Sequence, residues 1–199
     1  MSKKTEYLDV RDKCKTLLTT AFTPSVWKAD TSYSPNALIK PTKDNGHYYR
    51  CIVAGKSGKE EPENWKTGFW DIVIDNEITW REEEPMNILD YETGLLYPAI
   101  IVGDIRPISD IQIALGNVAS SELKVDIFVI SYMKKKTWTQ MRQQAFDFIS
   151  QVQKVIRENP EFGNLPGITS AKSGIYTIDT DVLPCFYKLC LLWFVNWIG

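Results

Sequence analysis

Histidine is the first scarcity: His47 stands alone among 199 residues. Any serine or cysteine triad would have to recruit it. Its place beside Asn45-Gly46 makes a solvent-facing hairpin residue the plain expectation. The chain also lacks GxxxxGK[ST], GxGxxG and HExxH, and with them the backbone cradles and paired histidines that hold phosphates, dinucleotides and zinc. The stretch AGKSG, Ala54 to Gly58, has a phosphate loop's residue types without its spacing, and no long helix follows. It reads as a turn.

Surplus positive charge is missing too. There are 23 basic against 25 acidic residues, a net charge of -2, which excludes a chain built mainly to bind nucleic acid. The one basic run, Lys134-Lys135-Lys136, falls at a strand-to-helix turn, where short charge runs are usually solvated. The four cysteines, Cys14, Cys51, Cys185 and Cys190, form no CxxC pair. They read as small buried hydrophobes rather than a disulfide framework or a zinc site, which suits a reducing cytoplasm. MSKKTEYLDV has no apolar run of the signal-peptide kind. The apolar Cys185–Ile198 stretch is 14 residues long. A helix needs roughly 17–25 residues to cross a bilayer, so no membrane span is expected. The tightest carboxylate groups, Glu60-Glu61 and Asp179 with Asp181, lie in no obviously buried setting that would split their pKa values. The second pair has calcium-ligand chemistry, but two acids around a hairpin are ordinary turn residues. No catalytic, cofactor or metal site emerges, and an enzyme is not expected.

What is present is patterned. Tyr7 to Phe22 places Tyr7, Val10, Cys14, Leu17 and Ala21 on one helical stripe, ended by Thr23-Pro24. From Val26 to about Glu84 the texture becomes short alternating runs, turns and aromatics. Asn45-Gly46 and Asp75-Asn76 read as tight hairpin turns. Between them Tyr49, Cys51 and Val53 face one side of a strand, with Tyr48, Arg50 and Ile52 on the other. Glu82-Glu83-Glu84-Pro85 reads as a charged boundary. Ala99–Val102 is then a short strand, and Ile111–Leu115 and Leu123–Tyr132 form a hairpin around Gly116-Asn117. Trp138, Met141, Ala145, Phe148, Val152 and Val155 make the cleanest helical stripe, with Thr137 as cap and Asn159-Pro160 as stop. Ile168–Ile178 and Pro184–Trp197 close the chain as a second β pair. The class is α+β: an antiparallel sheet with helices packed on one face, plus a small inserted all-β module. The expected domains are residues 1–25 with 85–199, discontinuous, and the insert at 26–84.

Within the insert, Trp27, Tyr33, Asn45, Gly46, Tyr49, Ala54, Gly55, Ser57, Gly58, Glu61, Pro62, Trp65, Asp75 and Trp80 follow one another in a recognisable order. They resemble a small β module that recurs in bacteriophage virion proteins and is related to carbohydrate-binding modules. Asn76 departs from the pattern, which usually has Gly there. The resemblance implies a decoration of the virion surface, with Tyr49, Trp65 and Trp70 as glycan-contact candidates. A module of this size has little core, so packing is the competing reading of the same aromatics.

The rest of the chain, with its N-terminal helix, the YPAIIV strand, ELKVDIFVISY, the long helix ending ENPEFG and a final β pair, is similar in order to the tail-terminator (tail-completion) proteins of long-tailed phages. That resemblance implies a virion structural protein, assembled in the host cytoplasm and placed at the head–tail junction. There a homo-hexameric ring would cap the tail tube, with the tube protein and the head–tail connector as partners. Ile105–Asp110 and Lys134, Lys135 and Lys136 are the candidate subunit or tube contacts. The alternative is another virion component, such as a head-completion, tail or receptor-binding protein, whose module holds glycan. A small enzyme or a host-derived binding domain is the third.

Overall fold

The structure, a computed structural model, describes residues 7–90, 98–113, 118–130, 137–159, 168–179 and 186–198. It is mixed α+β, with mostly antiparallel sheets. The chain divides into two compact units, Met1–Thr20 with Asn87–Gly199, and Ala21–Met86.

The first unit begins with helix α1 (Tyr7–Phe22). Val10, Cys14 and Leu18 are its buried residues in this unit, while Leu17 is only half-buried. The apolar stripe therefore runs in steps of four, one residue beyond the expected Leu17 and Ala21. Burial pushes the Cys14 thiol up to about 12, so it behaves as a packed hydrophobe. Lys15 Nζ donates to Asp90 Oδ2 at 2.5 Å, tying the helix to the residue that follows the sheet's edge strand, residues 87–89.

That sheet contains β8 (Asn87–Leu89), β9 (Ala99–Ile113), β10 (Val118–Ile130), β11 (Ile168–Asp179) and β12 (Phe186–Ile198), in the order β11-β12-β10-β9-β8. Only the β8–β9 pairing is parallel. The apolar C-terminal stretch is thus an inner strand with a partner on each side. β9 corrects the sequence reading: Ala99–Val102 and Ile111–Ile113 lie on one strand, and the candidate contact segment Ile105–Asp110 is part of it. Two irregularities carry the strand through its breakers. Pro107 pairs with Leu123 while Ser109 pairs with Glu122, so Ile108 is the extra residue. Gly103 and Asp104 together stand opposite Asp126. A bulge accommodates a residue that cannot donate to the ladder.

Helix α2 (Trp138–Glu158) lies against β10, β11 and β12. Thr137 caps it with a full capping box: its hydroxyl accepts from Gln140 N–H at 3.2 Å, and Gln140 Oε1 accepts from Thr137 N–H at 2.8 Å. Met141, Ala145, Phe148, Ile149, Val152 and Ile156 are buried. Trp138 is not part of that stripe; it is 46% exposed in the first turn. Val155 is half-buried, and Ile149 and Ile156 complete the face instead.

The second unit is all β after the end of α1. Its main sheet contains β1 (Ser25–Val26), β3 (Leu38–Lys40), β4 (Tyr48–Val53), β6 (Ile72–Asp75) and β7 (Ile78–Glu83), in the order β1-β3-β4-β7-β6. A second, two-stranded sheet pairs β2 (Ser32–Tyr33) with β5 (Gly55–Lys56). The core is Trp27, Ile39, Tyr49, Cys51, Val73, Ile78 and Trp80, with Tyr33, Ala37 and Trp65 packed against it. Asn45-Gly46 is not a two-residue hairpin turn but part of a longer loop, residues 41–47, between β3 and β4. The tight turn after β6 is Asn76-Glu77, with Asp75 paired to Ile78 as the last residue of its strand. A bulge separates Cys51 from Val53, which turns Val53 outward rather than along the face of Tyr49 and Cys51.

Candidate functional site

The densest chemistry in the described residues lies in the second unit, where three carboxylates are buried among aromatics. Asp75 is 3% exposed. Its Oδ2 accepts from the indole N–H groups of Trp27 at 2.8 Å and Trp80 at 3.1 Å, and its Oδ1 accepts from Gly58 N–H at 2.8 Å. A buried indole N–H needs an acceptor, and one side chain satisfies two of them. The glycine at position 58 follows from this. A Cβ there would stand 3.1 Å from Asp75 Oδ1 and 3.2 Å from the Glu60 carbonyl.

The rest of AGKSG is explained in the same way. Ser57 is buried; its hydroxyl donates to the Lys28 carbonyl at 2.7 Å and accepts from Thr31 N–H at 3.0 Å. A Cβ on Gly55 would lie 2.6 Å from Glu77 Cβ, because β5 passes tightly over the Asn76-Glu77 turn. Asn76 holds φ +54°, a conformation Asn tolerates, and its side-chain amide donates to the Lys56 carbonyl at 3.0 Å. Asn at this position therefore keeps the turn and adds a tether.

The boundary between the units falls just after the Glu82–Pro85 stretch, at Met86, but Glu82 and Glu83 are not solvated charges. Both are 2% exposed and end strand β7. Glu83 receives Arg50 in a two-point ion pair, Nε to Oε2 at 2.5 Å and Nη2 to Oε1 at 2.7 Å. Arg50 Nη1 also donates to the Asn36 carbonyl at 3.0 Å, and the guanidinium lies 5.8 Å from the Phe22 ring centroid. Glu82 meets His47 Nδ1 at 2.7 Å and accepts from Trp70 N–H at 3.0 Å. Burial pushes the Glu82 carboxyl above its usual range, against the opposing hydrogen bonds from His47 and Trp70. His47 is accordingly half-buried and paired, not a solvent-facing turn residue. Among the described residues, no serine, threonine or cysteine hydrogen-bonds to it.

The glycan-contact candidates can now be placed. Tyr49 has no exposed surface; its hydroxyl accepts from the Asn45 amide at 2.8 Å and donates to the Lys66 carbonyl at 3.1 Å. It is core and offers no face for stacking. Trp65 is half-buried, with its ring centroid 4.4 Å from that of Tyr49 and 6.4 Å from that of Trp80. Its indole N–H donates to Glu61 Oε1 at 3.1 Å, and the Glu61 carboxylate also accepts from the Thr42 backbone N–H and hydroxyl. Trp70 holds φ +58°, stacks on Phe69 with centroids 4.8 Å apart, and lies beneath the Arg81 guanidinium at 4.6 Å. Both contacts occupy π surface that a sugar ring would need. The three aromatics are thus brought into one region but engaged internally. Lys134, Lys135, Lys136 and Asp181 lie outside the described residues, while Asp179 is the last residue of β11. Among the described residues, no group of three His, Cys, Asp or Glu side chains is arranged to hold a metal ion, and no helix is long and apolar enough to cross a membrane.

Sequence reasoning missed the buried acids, although a signal was present. Ile78, Trp80 and Glu82 alternate onto one face of β7, so Glu82 belonged with the core residues. Arg50 in YYRCIV supplied the opposite charge for Glu83. Compared with protein-family models and with curated proteins, the chain matches none.

Proposed function

We propose that this is a virion structural protein of the tail-terminator kind, whose copies close into a ring on the end of the phage tail tube and meet the head connector. The observation that carries this reading is the sheet of the first unit. Its long strands leave two edges without a neighbour among the described residues: the outer edge of β11, and that of β9 beyond Ile101, where β8 stops. Open edges of this length invite pairing with another chain, and a closed ring of identical copies removes them. The long helix α2 covers one face of the same sheet, and its capping box fixes where it starts. The second unit serves this reading as a compact structural insert, since its aromatics and buried acids bind one another.

Native mass spectrometry and negative-stain microscopy of the purified chain test assembly, with six-fold rings expected. Gold-labelled antibody on the source particle tests placement. Label at the head–tail junction is the expected result; label at the distal tail or across the capsid overturns the reading and brings forward a glycan- or receptor-binding component.

A further inference from the structure

Asn45-Gly46 is the sequence most prone to spontaneous deamidation in any protein, and here both residues are exposed. The reaction needs no enzyme. The Gly46 backbone nitrogen attacks Asn45 Cγ, a succinimide ring closes, the Cγ–Nδ2 bond breaks, and ammonia leaves carrying the nitrogen's proton. Water then opens the ring to aspartate or isoaspartate, with no change of oxidation state. Glycine favours this because no side chain shields its nitrogen, and nothing lies within 4 Å of where a Gly46 Cβ would sit.

We infer that Asn45-Gly46 is a latent deamidation site, held unreactive by the hydrogen bonds that fold its loop and coupled through Tyr49 to the core of the second unit. The nucleophile is restrained first: Gly46 N–H donates to Asp44 Oδ1 at 2.8 Å, so attack must break that bond. Asp44 is also a poor base for the step, because the Gly46 N–H and then Lys40 hold its carboxyl below the ordinary value. The electrophile is restrained at both ends. Asn45 Oδ1 accepts from His47 N–H at 3.1 Å, and Nδ2 donates to the Tyr49 hydroxyl at 2.8 Å. Rotating Cγ toward Gly46 costs both contacts.

The product would act on the core. The Tyr49 hydroxyl gives its own hydrogen to the Lys66 carbonyl, so it faces Asn45 as an acceptor. A carboxylate at position 45 has no hydrogen to give it, and two acceptors would face each other across the former bond. The added charge also stands near Asp44, and Tyr49 packs directly on Trp65.

The test uses the full chain in mildly alkaline buffer, folded and in urea, with conversion at Asn45 followed by peptide mapping. The folded chain is expected to react at least about tenfold more slowly, the scale set by first breaking a hydrogen bond to a charged group. Asp44→Ala should speed the folded reaction and leave the unfolded one alone. Equal rates folded and unfolded, or no effect of Asp44→Ala on the folded chain, overturns the inference of restraint. For the coupling, Asn45→Asp should lower the thermal midpoint in the wild type and much less in Tyr49→Phe. Asn45→Ala, which removes the donor without adding charge, should fall between wild type and Asn45→Asp. An equal loss in both backgrounds, or Asn45→Ala lying below Asn45→Asp, overturns it.

Discussion

Replacing Asp75 should strongly destabilise the second unit, and the size of the effect follows from three donors. Asp75→Ala strands the indole N–H groups of Trp27 and Trp80 and the backbone N–H of Gly58. A buried donor left without a partner costs roughly 1–3 kcal/mol, so three cost about 3–6 kcal/mol after some relaxation. At ~0.05–0.15 kcal/mol per residue, a unit spanning Ala21–Met86 has about 3–10 kcal/mol in total. The alanine variant should therefore populate an unfolded or loosened module in plain buffer. Asp75→Asn is the finer probe. Its amide oxygen can keep both indoles, but its NH₂ then faces Gly58 N–H, donor against donor. One lost bond predicts about 1–3 kcal/mol, or roughly 4–20 °C in the midpoint for a unit this small. Tryptophan fluorescence and near-ultraviolet circular dichroism during urea unfolding read both variants, since the two indoles report on their own acceptor. If Asp75→Ala unfolds within ~1 kcal/mol of wild type, the carboxylate is not what satisfies those indoles, and the packing account of the module fails with it.

Three further tests rest on the same structure. Phe148→Ala opens the buried face of α2 and should cost roughly 3–5 kcal/mol, whereas Trp138→Ala, at a 46%-exposed position, should stay within about 1 kcal/mol in a thermal melt. A larger loss for Trp138 would return it to the core. Arg50→Met leaves Glu83 buried without its partner and should cost roughly 3–5 kcal/mol; Arg50→Met with Glu83→Leu should recover most of that, and chemical unfolding of the two variants tells whether it does. Glu82 carries a pH signature. Because burial raises its folded pKa, the stability from its neutral form is complete below the unfolded value of about 4.3 and is lost as pH rises through the higher folded value. Glu82→Gln should therefore gain on wild type as pH rises from acid to neutral, read by unfolding midpoints across that range. A constant gap would contradict the burial account.

Much of this architecture was legible in the chain because local signals agreed with it. Thr137 marks a helix start, Asn159-Pro160 a stop, and the residues between carry a 3.6 period; α2 sits between those signals. The final β pair was legible from its β-branched and aromatic runs. The misreadings share a cause: breakers and charges were judged one at a time, while the fold judges them by their partners. Pro107 and Gly103 are strand breakers taken alone, and bulges against β10 carry β9 past them. Trp138 fitted a spacing of three, but the first turn of a helix need not face the sheet. Glu82 and Glu83 looked solvated until Arg50 and His47, distant in sequence, were brought beside them. The candidate site was the least legible part, because exposure of an aromatic face depends on neighbours that no periodicity encodes.

Trp27 and Trp80 share Asp75; Gly58 leaves room for the same carboxylate; Ser57 fastens Thr31; Tyr49 is held by Asn45 and packs on Trp65, which binds Glu61. These positions of the pattern are thus used in closing a small core that could not otherwise bury enough apolar surface. A sequence pattern of this kind specifies a fold, and it would persist in a module that binds nothing. The order of aromatics within the insert is therefore no evidence for a sugar site. Among the described residues, the surface open to pairing lies instead in the first unit, where the outer edge of β11 and that of β9 beyond Ile101 have no strand beside them, and the proposed ring requires that neighbouring copies pair with these edges.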